Sequence, residues 1–180
     1  SLTAADLRMG LGRESLHQEA TLKLALDEAD RCHYFACFLG QMYGWHQPVE
    51  IAKDFFVDAC NGVPVVTPKA LKKYEEAREN AIQQRNPGLQ AVDGDLLPGV
   101  PPRFVGLVLP EGADETFFKA KVHAANHGHR WIQDHHGCGM VELEIIHRLL
   151  PDRSREERTF FFFRSEDYIT HLKYGRGWRE

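Results

Sequence analysis

The four cysteines of this 180-residue chain, Cys32, Cys37, Cys60 and Cys138, form no Cys-x-x-Cys pair. Thiols so few and so scattered do not make a disulfide scaffold, and a reducing intracellular compartment is expected. No apolar run approaches the ~20 residues that span a bilayer as a helix; Phe104–Leu109 and Phe160–Phe163 are strand-sized. A basic excess is also missing, since 22 Lys and Arg stand against 26 Asp and Glu for a formal net charge of -4. Nucleic-acid binders carry a basic domain or stripe. Here the densest basic run (Arg148, Arg153, Arg155, Arg158) is interleaved with Asp152, Glu156 and Glu157, so no nucleic-acid partner is expected. Neither Gly-x-x-x-x-Gly-Lys nor Gly-x-Ser-x-Gly occurs, which removes phosphate-loop and nucleophile-elbow chemistry. No secretory signal pattern and no repeat of fixed period is found.

What is present is ordinary globular material, 43% apolar and 27% charged, in a chain long enough to bury a core without staples. The first half reads as helical. Ser15-x-x-Gln18 opens a pattern running from Leu16 to Leu39, with Leu22, Ala25, Leu26, Ala29, His33 and Ala36 on one stripe and Gly40 as the stop. Tyr34, Phe35 and Phe38 make the end of that pattern apolar nearly all round. Gln47-Pro48 predicts a second helix with Ile51, Phe55 and Ala59 buried, ended by Asn61-Gly62. Thr67-Pro68 opens a third, mostly charged, with a narrow seam of Leu71, Tyr74 and Ile82. Residues 1–86 are thus expected to form a helical unit of about three helices.

Residues 87–103 hold four prolines and three glycines, as a linker or a draped arm does. Leu89, Val92, Leu96, Leu97 and Val100 favour an arm packed on a surface. Beyond it the period changes. Phe104–Leu109 reads as a strand covered on both faces, and Asp114 as the cap of a helix over 114–136. Gly139–Leu149 alternates, with Val141, Leu143, Ile145 and Leu149 against Glu142, Glu144 and Arg148, as a half-buried strand does. Thr159–Arg164 reads as another strand whose four Phe are expected in the core, and Ser165–Gly175 as a last helix. Residues 104–180 are therefore expected to be an α+β domain of order β-α-β-β-α, ferredoxin-like or a related sandwich.

Chemistry is concentrated between Phe117 and His147, which holds six of the ten histidines. His123, His127, His129, His135, His136 and Cys138 are the candidate metal ligands. His123 and His127 share a helical face, as zinc pairs do, and Cys138 between two glycines is an accessible thiolate. In a continuous helix, however, His129 falls on the apolar face with Phe118, Val122, Ala125 and Ile132, away from His123 and His127. Only a break at Asn126-His127-Gly128, with Gly128 left-handed, frees His129–His136 to fold back. Cys138 is equally a candidate nucleophile, although the spacing selects no histidine as its base.

Two functional expectations follow. The leading one is a non-catalytic accessory subunit of a larger multi-protein assembly, without cofactor, its partners other protein subunits. The acidic balance favours a membrane bioenergetic complex over a ribosome. A chain opening on Ser1 rather than Met fits an imported, processed protein, so the expectation is a peripheral subunit of a mitochondrial, respiratory-chain type assembly. The alternative is a small zinc- or thiol-dependent enzyme built on the 123–138 cluster.

Overall fold

Helices and short strands alternate in the chain, described here from a computed structural model for residues 18–39, 46–85, 99–149 and 158–163. The fold is α+β. Most of the arm and the helix expected from Ser165 lie outside the described residues. The chain divides into two compact units, Ser1–His46 with Cys138–Glu180, and Gln47–Gly137.

In the first unit a 3-10 turn, Gln18–Ala20, leads into α1, Thr21–Arg31. Leu22, Ala25, Leu26 and Ala29 are its buried stripe, as the 3.6-residue period requires. The helix does not continue to Leu39. It stops at Cys32, whose backbone is extended, and Phe35–Leu39 is strand β1. The run that looked apolar all round is rich in aromatic residues, which fit a pleated surface better than a helix. β1 pairs in parallel with β4, Thr159–Phe163, in the register Ala36 to Phe160 and Phe38 to Phe162.

The segment after Gly139 is likewise not a strand but a helix, α5, Met140–Leu149. The Glu142 carboxylate accepts the Gly139 N–H at 2.7 Å, and the Leu143 N–H donates to the Gly139 carbonyl at 3.0 Å. This is the back-bond of a capping box, and Met, Glu and Leu are strong helix formers. Leu143, His147 and Arg148, not the alternating set, are buried.

In the second unit Ile51 precedes helix α2, Lys53–Cys60, which buries Phe56 and Ala59. Pro48 stands in a bend and the helix starts five residues later, which rotates Phe56 rather than Phe55 inward. Asn61 ends it, and Gly62 takes a left-handed φ of 91°. Strand β2, Val65–Val66, is followed directly by α3, Pro68–Arg85. The Thr67 hydroxyl accepts the Ala70 N–H at 3.2 Å, as an N-cap does. The seam of α3 takes the last residues of the Pro/Gly-rich stretch: Tyr74 Oη donates to the Pro102 carbonyl, and Arg78 Nε to that of Pro101 at 3.2 Å. Strand β3, Leu107–Val108, pairs in parallel with β2. A Cβ at Gly106 would stand 2.5 Å from the Pro64 carbonyl, so this crossing needs glycine.

Helix α4, Glu115–Asn126, is capped by Asp114, whose Oδ1 accepts the Phe117 N–H at 2.9 Å. Its buried face is Phe117, Phe118, Ala120, Lys121, Ala124 and Ala125. Phe118 sits edge-on to Phe55 and Phe56, with ring centroids 5.8 and 5.6 Å away. The described strands form two separate parallel pairs, β1–β4 and β2–β3, not the single sheet of a ferredoxin-like order.

Candidate functional site

The break that the histidine cluster needed is present. α4 ends at Asn126, and Gly128 has φ 113°. The His129 N–H returns to the Ala124 carbonyl at 3.1 Å. Residues Arg130–His135 then form a separate 3-10 segment. A left-handed glycine after the last helical turn satisfies the orphan carbonyls without a Cβ clash.

The freed histidines go to different places. His123 and His127 stack at the end of α4, centroids 4.0 Å apart and planes at 21°; His127 Nδ1 lies 2.7 Å from the His123 carbonyl. His129 is buried. His135 stands at the edge of the Trp131 ring, 5.8 Å away. His136 lies 5.9 Å from Phe56, its Nε2 3.0 Å from the Ile51 carbonyl and its Nδ1 3.3 Å from that of Gln133. Cys138 is half-buried and in no disulfide. Among the described residues no three His, Cys, Asp or Glu side chains stand together as metal ligands.

The polar groups that are deeply buried brace the fold. Lys121 donates to the His136 carbonyl, with its ammonium 4.6 Å from the Phe117 centroid. This fixes the 3-10 segment against α4 by a charge-assisted bond and a cation–π contact. In the other unit, His147 Nε2 lies 3.0 Å from Asp30 Oδ2. Arg148, 3% exposed, donates Nη1 to the Ala29 carbonyl and Nη2 to the His33 carbonyl, both at 3.1 Å. The last carbonyls of a helix have no partner within it, so the guanidinium fork closes the end of α1 and holds the turn into β1. A carboxylate-oriented imidazole is half of a nucleophile-activating system; here it joins α1 to α5. No spacing in the sequence announces the contacts of His147 and Arg148, because their partners lie over a hundred residues away.

At the edge of the second unit the Lys53 ammonium bonds Asp134 at 2.7 Å and pulls its carboxyl below the usual range by that hydrogen bond and by charge. A depressed carboxyl adds stability above its unfolded pKa that is lost as pH falls through the folded value. Both groups are exposed, so the Asp134→Asn change leaves stability nearly unaltered. Burial pushes the Cys60 thiol up, against a weaker opposing hydrogen bond with Gln133. A raised thiol keeps its stabilising neutral form until pH climbs past the unfolded value of about 8.5, and the native state weakens above it. Iodoacetamide at mildly alkaline pH is therefore expected to alkylate Cys60 several-fold more slowly in the folded than in the urea-unfolded chain. Equal rates, read by peptide mass spectrometry, contradict this.

Among the described residues, the β1–β4 ribbon exposes a block of aromatic rings. Tyr34, Phe38, Phe160 and Phe162 share one face, with Tyr34 and Phe160 centroids 6.4 Å apart and Phe38 stacked on Phe162 at 4.8 Å. Phe161 and Phe163 point to the other, where Cys37 is buried. Exposure of the four Phe runs from 36% at Phe161 to 74% at Phe163, so they are not core residues. The expectation from sequence fails because, among the described residues, no layer stands over the ring-bearing face. Parallel sheets are ordinarily covered on both faces, and a lone pair of strands is marginal in water.

No family model matches the chain, and neither a curated protein nor a solved structure is significantly similar to it.

Proposed function

We propose that the chain is a non-catalytic accessory subunit of a larger multi-protein assembly, and that its aromatic ribbon is a surface by which it joins the other subunits. The observation that carries this reading is the exposed block of rings on β1 and β4. Contiguous aromatic surface of this kind marks interaction sites on soluble chains, and aromatic residues dominate interface energetics. The ribbon strands Phe35–Leu39 and Thr159–Phe163 contain no charged residue, which suits a protein partner better than a polyanion. A mitochondrial, respiratory-chain type complex is the setting favoured by the acidic balance and by four cysteines that form no disulfide. No helix among the described residues is long and apolar enough to cross a membrane, so attachment would be peripheral. The zinc or thiol enzyme reading has the stacked His123–His127 pair in its favour, two ligands where catalytic zinc sites use three.

The test is gentle extraction of the chain from cells that make it, with native size and bound metal measured together. The accessory reading expects a particle far larger than 20.6 kDa, containing other polypeptides. A monomer carrying about one zinc per chain, the stoichiometry of a mononuclear site, would overturn it in favour of the enzyme.

A further inference from the structure

We propose that His123 and His127 form a two-histidine site for a borderline divalent metal ion of the copper, nickel and zinc group. The site is independent of the accessory-subunit reading and needs neither a catalytic centre nor a third protein ligand.

The helix sets the geometry. Residues four apart lie on one face, about 5–6 Å from each other at Cβ. Both histidines belong to the end of α4, His123 in its last turn and His127 as its C-cap. Their rings stand 4.0 Å apart between centroids. His127 is exposed and His123 half-buried, so a hydrated ion reaches the pair from solvent. His127 Nδ1 lies 2.7 Å from the His123 carbonyl. A carbonyl only accepts, so Nδ1 carries the proton, and in the neutral ring the lone pair is left on Nε2. Metal-bound imidazoles ordinarily have this arrangement, one ring nitrogen held by a carbonyl or carboxylate and the other on the ion. A metal lies in the plane of each ring it binds, about 2.0–2.1 Å from the nitrogen. The two rings therefore tilt out of their stack on binding, a side-chain rotation that leaves the helix as it is.

Charge and ligand chemistry select the ion. The C-terminal end of a helix carries a partial negative charge that attracts cations. The Lys119 ammonium, one turn back on the same face, is drawn to Glu115 at 2.9 Å. Imidazole suits copper, nickel and zinc, whereas magnesium and calcium take oxygen ligands. Among the described residues no three ligands stand together, so water fills the remaining positions and the ion exchanges readily. That sets the site apart from the three-ligand centre that a zinc enzyme requires.

Calorimetric titration of the purified, metal-stripped chain with copper(II), nickel(II) and zinc(II) is expected to show a single micromolar site, with copper the tightest. His123→Gln and His127→Gln should each weaken it roughly 100-fold, because the second ligand closes intramolecularly on an ion already held by the first. His135→Gln should leave it unchanged. The paramagnetic resonance spectrum of the copper complex should show coupling to two imidazole nitrogens, and to one fewer in either of the first two variants, a change that a folding defect does not imitate. Circular dichroism of each variant establishes folding. Binding no tighter than millimolar overturns the inference. So does binding indifferent to His123→Gln and His127→Gln, which would assign the metal to other histidines or to thiols. The titration uses the isolated chain and does not read native size, so this site and the accessory-subunit reading fail independently.

Discussion

The Phe118→Ala variant is expected to lose about 3–5 kcal/mol of stability, the usual range for deleting a buried phenyl ring. Phe118 is 1% exposed and stands edge-on to Phe55 and Phe56, so its removal empties the junction of α2 and α4. It also withdraws two edge-to-face contacts, each of roughly 0.5–1.5 kcal/mol beyond area. Phe56 is in turn against His136, so the 3-10 segment should loosen with it. For a chain of this length the midpoint of thermal unfolding should fall by roughly 10 °C. Phe118→Leu, which keeps most of the volume, should lose much less. A fall of under about 2 °C in the Ala variant would mean that the site collapses around the hole, contrary to the tight packing expected of protein cores.

Arg148→Ala is the second large effect, and it acts in the other unit. It removes the donors to the Ala29 and His33 carbonyls. The buried Ala29 carbonyl left without a donor is worth about 1–3 kcal/mol, the part-buried His33 carbonyl adds less, and packing of the side-chain stem is lost besides. We expect a net loss of roughly 3 kcal/mol, taking the lower part of that range because the buried guanidinium itself is expensive to desolvate. Arg148→Lys keeps the charge but not the planar fork, and should fall between wild type and Ala. Hydrogen exchange gives the sharper readout. The guanidinium holds the turn at His33 from which β1 departs, so amides of Phe35–Leu39 should lose protection in the Ala variant while those of α2 and α4 keep theirs. Unchanged exchange in β1 would show that the ribbon is held by its pairing with β4 alone.

Where a signal was local, the residues were enough. Asp114 three positions before Phe117, Thr67-Pro68 ahead of a charged run, Asn61-Gly62 and Gly128 each set a helix end through one short-range hydrogen bond or one left-handed φ. The stripe of Leu22, Ala25, Leu26 and Ala29 was equally legible, because a period of 3.6 needs no partner to be read. The same locality misleads where two periods fit. Gly139–Leu149 alternates acceptably as a strand, yet the Glu142 bond to the Gly139 N–H and the helix-forming Met, Glu and Leu go with a helix. The run Tyr34–Leu39 extends an apolar helix on paper, yet it is a strand because Thr159–Phe163 is there to pair with it.

By itself the sequence determined a mixture of helices and strands, the charge balance, and the helix ends at Asn61-Gly62, Thr67, Asp114 and Gly128. It also showed that the 123–138 histidines could meet only if the helix broke at Gly128. Tertiary structure decided the rest. It sent His129 inward, gave His136 to backbone carbonyls, and left His123 and His127 as a pair. It joined α1 to α5 through Asp30, His147 and Arg148, and turned a phenylalanine run that reads as core into an exposed face. The physical reason is common to all of these. Whether an apolar or ionisable side chain is buried depends on what lies opposite it, and that partner comes from a remote part of the chain, or from another chain altogether.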